Sequence, residues 1–234
     1  MVDMEAVAAA LASTHVSVRL RAAMALGTHP MPELLEVLME RCAAEPDPFV
    51  RDTLTWALTR LPADLTLPRL RRELFSAYPQ ARAQALHTLS KVGAAEAYPW
   101  ITLDLVSDDD DDVARAAWRA VAALAPEAER GAAAELLAQQ LGRGDDDVKR
   151  SLSRTMLRLA PEVEPVLERS ATSPRPEVAE HATAALLLLR RPEVAFAADI
   201  AVADRATALG REKTAALHAS ADPDGEEPAD NGES

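Results

Sequence analysis

Nine side chains have types and spacings suited to gripping a ligand: Asp52, Trp56, Arg60, His87, Arg115, Trp118, Arg119, Arg150 and Arg154. Guanidinium groups present a rigid fork of N–H donors that matches carboxylates and phosphates. A tryptophan exposed among arginines is a recurrent composition of binding hot spots. The chemistry these residues support is recognition, with no reaction attached. His87 is a lone histidine among small residues with no visible catalytic partner, so it reads as a hydrogen-bonding surface group. The run Asp108–Asp112 has no histidine or spaced glutamate to complete an oxygen cage, so it reads as helix capping and solvation and not as a metal site. Cys42 is the single cysteine, which excludes disulfide frameworks and cysteine-based metal sites. Nucleophile, P-loop, dinucleotide and zinc signatures are absent. The expectation is a protein that is not an enzyme and uses no cofactor.

The elements that must position these residues follow from an internal repeat. An apolar residue precedes a slot position at Val18-Arg19, Val50-Arg51, Ala81-Arg82, Val113-Ala114, Val148-Lys149 and Val178-Ala179, with spacings of 30 to 35 residues. Further apolar residues stand three and seven positions after each slot, the stripe of an amphipathic helix. Prolines at Pro30, Pro62, Pro126, Pro161 and Pro192 recur with the same period, and Gly93-Ala94 fills the missing place. Each marks a turn into a preceding-layer helix. Those first helices are predicted at 34–41, 67–75, 100–106, 132–141 and 163–169, with 4–11 opening the chain. The second helices are predicted at 15–27, 48–61, 79–92, 112–124, 147–159 and 177–191. One such pair cannot bury both of its stripes, so the pairs must stack. Acidic residues in the turns before the second helices, such as Asp47, Asp108–Asp112 and Asp145–Asp147, are suited to capping.

At about 100° per residue, with the slot set to zero, the apolar stripe averages near −75° and positions one and five after the slot point away from it. That outward row contains Asp52, Trp56, His87, Arg115, Arg119, Arg150 and Arg154, with Trp118 on its flank. Arg60 extends it. The competing reading has Trp56 and Trp118 filling gaps between adjacent second helices. Trp100, in an apolar first helix, is expected in the core. The slot cations Arg19, Arg51, Arg82 and Lys149 are expected to brace the stack and not to bind ligand.

Formal charge is −13 over 234 residues, yet the six second helices hold 14 Lys or Arg against five Asp or Glu. Their layer is basic in an acidic chain. Alanine is abundant and aromatics make up 3%, which suits closely packed helices. No apolar run is long enough for a transmembrane helix, and the N-terminus carries acids where a signal peptide needs bases, so a cytoplasmic monomer is expected. Residues 192–219 read as a C-terminal capping helix. Residues 220–234, acidic and without large apolar side chains, read as a disordered tail, and the sequence leaves open whether it covers the basic groove.

The pattern Val-Arg-x-x-Ala-x-x-Ala-Leu after Asp or Pro, clearest at Val18–Gly27 and Val50–Leu58, resembles HEAT repeats over about residues 4–191. The short period is similar to the HEAT-like repeats of bilin lyases. The resemblance implies an all-α, right-handed α-α superhelix of about six helix pairs, with first helices convex and second helices concave. It implies carboxylate partners for the slot cations. The function expected first is a non-enzymatic scaffold that holds an acidic, aromatic or apolar segment of another protein in a basic groove. The alternative is nucleic-acid binding or base excision, because HEAT-like alkylpurine DNA glycosylases use a basic face with tryptophans and an aspartate, which Trp56, Trp118 and Asp52 could imitate. A lyase acting on a tetrapyrrole comes third, since no pigment-specific motif is present.

Overall fold

The structure, a computed structural model, describes residues 4–191, so the expected capping helix and acidic tail lie outside the described residues. The chain divides into a compact unit ending at Leu186 and a second beginning at Leu187. In the described residues there are twelve α-helices and no strand. They are α1 (Met4–Leu11), α2 (Val16–Thr28), α3 (Leu35–Ala44), α4 (Pro48–Thr59), α5 (Ala63–Glu73), α6 (Pro79–Val92), α7 (Leu103–Val106), α8 (Asp111–Leu124), α9 (Arg130–Ala138), α10 (Asp146–Leu157), α11 (Val163–Ser170) and α12 (Pro176–Arg190). They pair in chain order as first and second helices. The second helices α2, α4, α6, α8 and α10 pack against one another in sequence, which is a solenoid. The fourth first helix is the shortest of the described helices. A 3-10 stretch occupies Ala95–Trp100 and α7 is a single turn. Pro99 is in the way of a continuous helix, since it lacks an N–H and crowds the preceding turn.

The turns explain why the second helices begin where they do. Asp47, Asp110 and Asp145 each accept two backbone N–H groups from the first turn of α4, α8 and α10. These caps satisfy donors that have no partner within the helix. The slot arginines lock each turn to the next repeat. Arg19 donates from Nε and Nη2 to the two oxygens of Glu45, both at 2.8 Å, and from Nη1 to Ser13 O and Thr14 O. Arg82 repeats this with Asp108 at 3.0 Å and with Ser76 O. Glu45 and Asp108 each stand 26 residues after their arginine. The corresponding residue for Arg51 is Ala77. Arg51 bonds the Glu45 and Pro46 carbonyls but meets no carboxylate within ion-pair distance among the described residues.

The stripe predicted on α4 is the core: Val50, Leu54 and Ala57 have no exposed surface, and Leu58 and Leu61 almost none. Cys42 lies in the same core, where burial pushes its thiol up to about 12 against the opposing pull of Arg41, so it is inert as a nucleophile.

His181 on α12 ties three segments of the first unit together. Its Nδ1 accepts the Gly142 N–H at 3.0 Å, and its Nε2 lies 3.0 Å from both Lys149 O and Ser153 Oγ. An Nδ1 that accepts leaves the proton on Nε2, which faces the carbonyl. This arrangement holds a neutral imidazole and cannot serve as a base toward Ser153. Burial is the main reason its pKa is lowered from the ordinary 6.5. The unfolded chain therefore binds the proton more tightly than the folded one. The stability His181 confers is complete above about pH 6.5 and declines as pH falls from there through the lowered folded value. Denaturant midpoints measured between pH 7.5 and 5 should fall more steeply for the natural protein than for His181→Gln. Parallel slopes would contradict this reading.

Candidate functional site

Helices α4, α6 and α8 border a cavity of about 450 Å³ on the second-helix face. Three of the sequence-predicted residues, Asp52, His87 and Arg119, meet there. They project from outward positions of successive repeats, Asp52 one residue after its slot and His87 and Arg119 five after theirs, so stacking the repeats is what assembles the site. Arg51, Gln80, Gln84, Asp110 and Asp112 complete the wall. Gln80 is fixed by hydrogen bonds from its side-chain N–H to Cys42 O at 3.1 Å and Glu45 O at 2.9 Å. That bond stitches the start of α6 to the turn before α4.

The electrostatics of the wall are unusual at Arg119. Its guanidinium is half-buried and makes no hydrogen bond or ion pair among the described residues. Burial lowers its pKa first and the Arg115 charge lowers it further, while Asp112 acts the other way. Arg115, one turn earlier on α8, has an Nε that is buried without a partner. Two like charges at i and i+4 repel, and a desolvated donor without an acceptor costs free energy. A bound anion at Arg119 would offset the repulsion between the two charges. His87 Nε2 lies 3.6 Å from Asp52 Oδ1, beyond hydrogen-bond range. Burial lowers its pKa most, against the pull of Asp52, so at neutral pH it is an uncharged imidazole.

The remaining predicted residues are placed elsewhere. Trp118 does not line the groove: it has no exposed surface, and its Nε1–H donates to Val106 O at 2.9 Å. The single-turn α7 leaves a space behind α8 that the indole fills, and Arg143 from the following repeat lies 5.9 Å above the ring. Trp56 remains at the surface, 42% exposed, with its ring laid over Gly27 of α2. Arg60 is exposed at the C-cap of α4. Arg150 and Arg154 are exposed on α10, one repeat beyond the cavity, and Arg150 pairs with Asp147. The nine residues are thus not one continuous row. The cavity itself is not purely basic. Asp52, Asp110 and Asp112 share the wall with Arg51 and Arg119, so the cavity carries both signs.

Three features escaped the sequence reading. Arg51 was expected only as a brace, yet it also lines the cavity, and the signal was Ala77 standing where a carboxylate would be. Phe49 is 76% exposed at the start of α4. It lies seven residues before Trp56 and so shares its outward phase. Trp100 was expected in the core, but the 3-10 stretch turns it to a surface hollow of about 810 Å³ between α3, α5 and that stretch, with the Arg71 guanidinium 5.1 Å from its ring. The aspartate run divides its work: Asp108 pairs with Arg82, Asp110 caps α8 and Asp111 pairs with Arg143. Among the described residues no group of three or more His, Cys, Asp or Glu side chains could hold a metal ion, and no helix is long and apolar enough to cross a membrane.

Comparison with known proteins bears on the fold. Residues 4–74 match the family model of HEAT repeats. No curated protein matches the chain. Among solved structures, the karyopherin Kap121p bound to the extreme C-terminus of the protein phosphatase Cdc14p is 20% identical, over 78% of this chain and 22% of that one, with a TM-score of 0.56. The CpcE–CpcF complex of phycocyanin lyase from Nostoc is 18% identical, covers 81% of this chain and 77% of that one, and has a TM-score of 0.46. An engineered protein is 20% identical over 81% of this chain and 97% of that one, at a TM-score of 0.43.

Proposed function

We propose that this chain, whose fold is a HEAT-repeat solenoid, is a protein-interaction scaffold that seats an acidic side chain of a partner segment between Arg51 and Arg119. The observation that carries the reading is Arg119: a half-buried guanidinium with no hydrogen bond or ion pair among the described residues, one turn from Arg115, whose Nε is buried without a partner. A carboxylate entering the cavity would take charge-assisted hydrogen bonds from a group already partly desolvated. Trp56, exposed on the same helix as the cavity residue Asp52, offers apolar and aromatic contact. Kap121p is a HEAT-type protein with a peptide terminus bound, which supports peptide recognition as a use of this fold.

A polynucleotide suits the cavity less well. Asp52, Asp110 and Asp112 would repel a phosphodiester chain, and Trp118 is too deeply buried to stack on a base.

Panning a display library of 12-residue peptides on the immobilised full-length protein tests the reading. The selected pool should be enriched in Asp and Glu, and Arg119→Gln should weaken binding of selected peptides about tenfold or more, roughly 1.4 kcal/mol. The same substitution should leave the unfolding midpoint unchanged or slightly raised, because it removes the repulsion from Arg115. Loss of stability without loss of binding would make Arg119 a structural residue and overturn the proposal.

A further inference from the structure

The face of α4 next to the cavity is not accounted for by seating one carboxylate. Phe49 is 76% exposed and Trp56 42% exposed. Between them stands Asp52, with a side chain 75% exposed. In a chain with 3% aromatic residues, two of them on one outward face of one helix form the most conspicuous apolar track on this side of the first unit. The helix start under Phe49 is capped, and the Trp56 ring is seated on α2. The Phe49 N–H donates to the Asp47 cap at 2.9 Å. The Trp56 ring rests where a side chain on Gly27 would be, since a Cβ there would lie 2.0 Å from it.

Charge selects what fits between the two rings. The nearest cation on α4, Arg51, already spends its Nη1 on the Glu45 and Pro46 carbonyls. His87, the nearest group to Asp52 across the groove, is 3.6 Å away and makes no hydrogen bond to it. Asp110 and Asp112 add negative charge on the α8 side of the same cavity.

We propose that the Phe49–Asp52–Trp56 face docks a partner segment bearing two apolar side chains about 10 Å apart, seven residues at 1.5 Å each, with a lysine or arginine between them. The two apolar groups cover the rings, and the cation meets the exposed Asp52 carboxylate between them. This rests on reading the α4–α6–α8 face as a protein-binding surface and adds the partner's pattern: a cation on the α4 side and a carboxylate at Arg119, so the bound segment has mixed charge.

The test pans the same 12-residue library on the full-length natural protein and on Phe49→Ser, Asp52→Asn and Gly27→Ala, each first shown to keep its helix content and melting temperature. The natural protein should select peptides with two apolar residues three or seven positions apart and Lys or Arg between them. A spacing of three marks a polyproline-II segment, which returns to the same face every three residues at about 3.1 Å each, and seven marks a helix. Phe49→Ser should cut affinity for selected peptides about tenfold. Asp52→Asn should abolish the preference for Lys or Arg while keeping the apolar pair. Gly27→Ala should displace the Trp56 ring, shift tryptophan fluorescence and weaken binding. A pool enriched in acids alone overturns this proposal and leaves the Arg119 reading intact. A pool with the apolar and cationic pattern but no acid sustains this proposal and overturns the Arg119 reading. An unenriched pool overturns both. A dimer seen by sedimentation and dissolved by Phe49→Ser would give the face to a second copy of the chain and also overturn it.

Discussion

Trp118→Ala should lower the free energy of unfolding by about 3–5 kcal/mol, the range for deleting a fully buried large aromatic. The ring has no exposed surface and is enclosed by the single-turn α7, α8 and the loop that carries Arg143. Its removal leaves a cavity in a place that cannot collapse, because α7 is too short to move as a helix. It also orphans the Val106 carbonyl, which now accepts the indole N–H at 2.9 Å. Trp118→Phe keeps most of the volume and loses only the donor, so it should cost about 1–2 kcal/mol. Trp56→Ala, at a site 42% exposed, should cost on the order of 1 kcal/mol. Urea denaturation of the three variants checks the ranking. Equal losses at 118 and 56 would mean that the two indoles are not in different layers.

Glu45→Ala should be comparably severe, at about 3–5 kcal/mol, the cost of removing one partner from a buried ion pair. The Glu45 side chain has no exposed surface, and it receives Arg19 through two bonds, Arg41 at 3.2 Å and the Asp47 N–H at 2.9 Å. Burial alone would raise its pKa. The Arg19 hydrogen bond, the Asp47 N–H and the charges of Arg41 and Arg19 outweigh burial, and the result lies below the ordinary 4.5. A carboxyl lowered in the folded state contributes stability that is present above about pH 4.5 and lost as pH falls through the folded value. Acid unfolding should therefore show two stages. His181 acts first, from about pH 6.5 downward, and Glu45 acts below 4.5. Glu45→Gln keeps the shape but leaves Arg19 facing a neutral amide, so it should remove the second stage only. Because Glu45 joins α2 to the turn that starts α4, its loss should also loosen the Asp47 cap that holds Phe49.

The helix pairs and their core stripe were legible in the sequence because a period of 3.6 residues repeated every 30 to 35 positions fixes which side of each second helix is buried. Val50, Leu54 and Ala57 needed no information from outside their own helix. Asp52, His87 and Arg119 were found for the same reason, since all three point away from the stripe. Trp118 was misplaced because its position lies on the flank, where burial depends on the length of the neighbouring first helix. Pro99 makes that helix short, and helical phase carries no trace of it. The same proline turns Trp100 outward. Arg51 was half understood: one arginine is a brace when a carboxylate stands 26 residues on and a cavity residue when alanine does. Phe49 has the same outward phase as Trp56 and was passed over because it precedes the slot, in the first turn of α4.

The central claim is that Arg119 is a recognition residue held without a partner of its own. The measurement that tests it most directly is a double-mutant cycle by calorimetry. It pairs the tightest peptide selected by the natural protein and its Glu→Gln or Asp→Asn counterpart with the natural protein and Arg119→Gln. The account predicts a coupling energy of about 1.5–3 kcal/mol between the peptide carboxylate and Arg119. Additive effects, with coupling under about 0.5 kcal/mol for every carboxylate in the peptide, would contradict it.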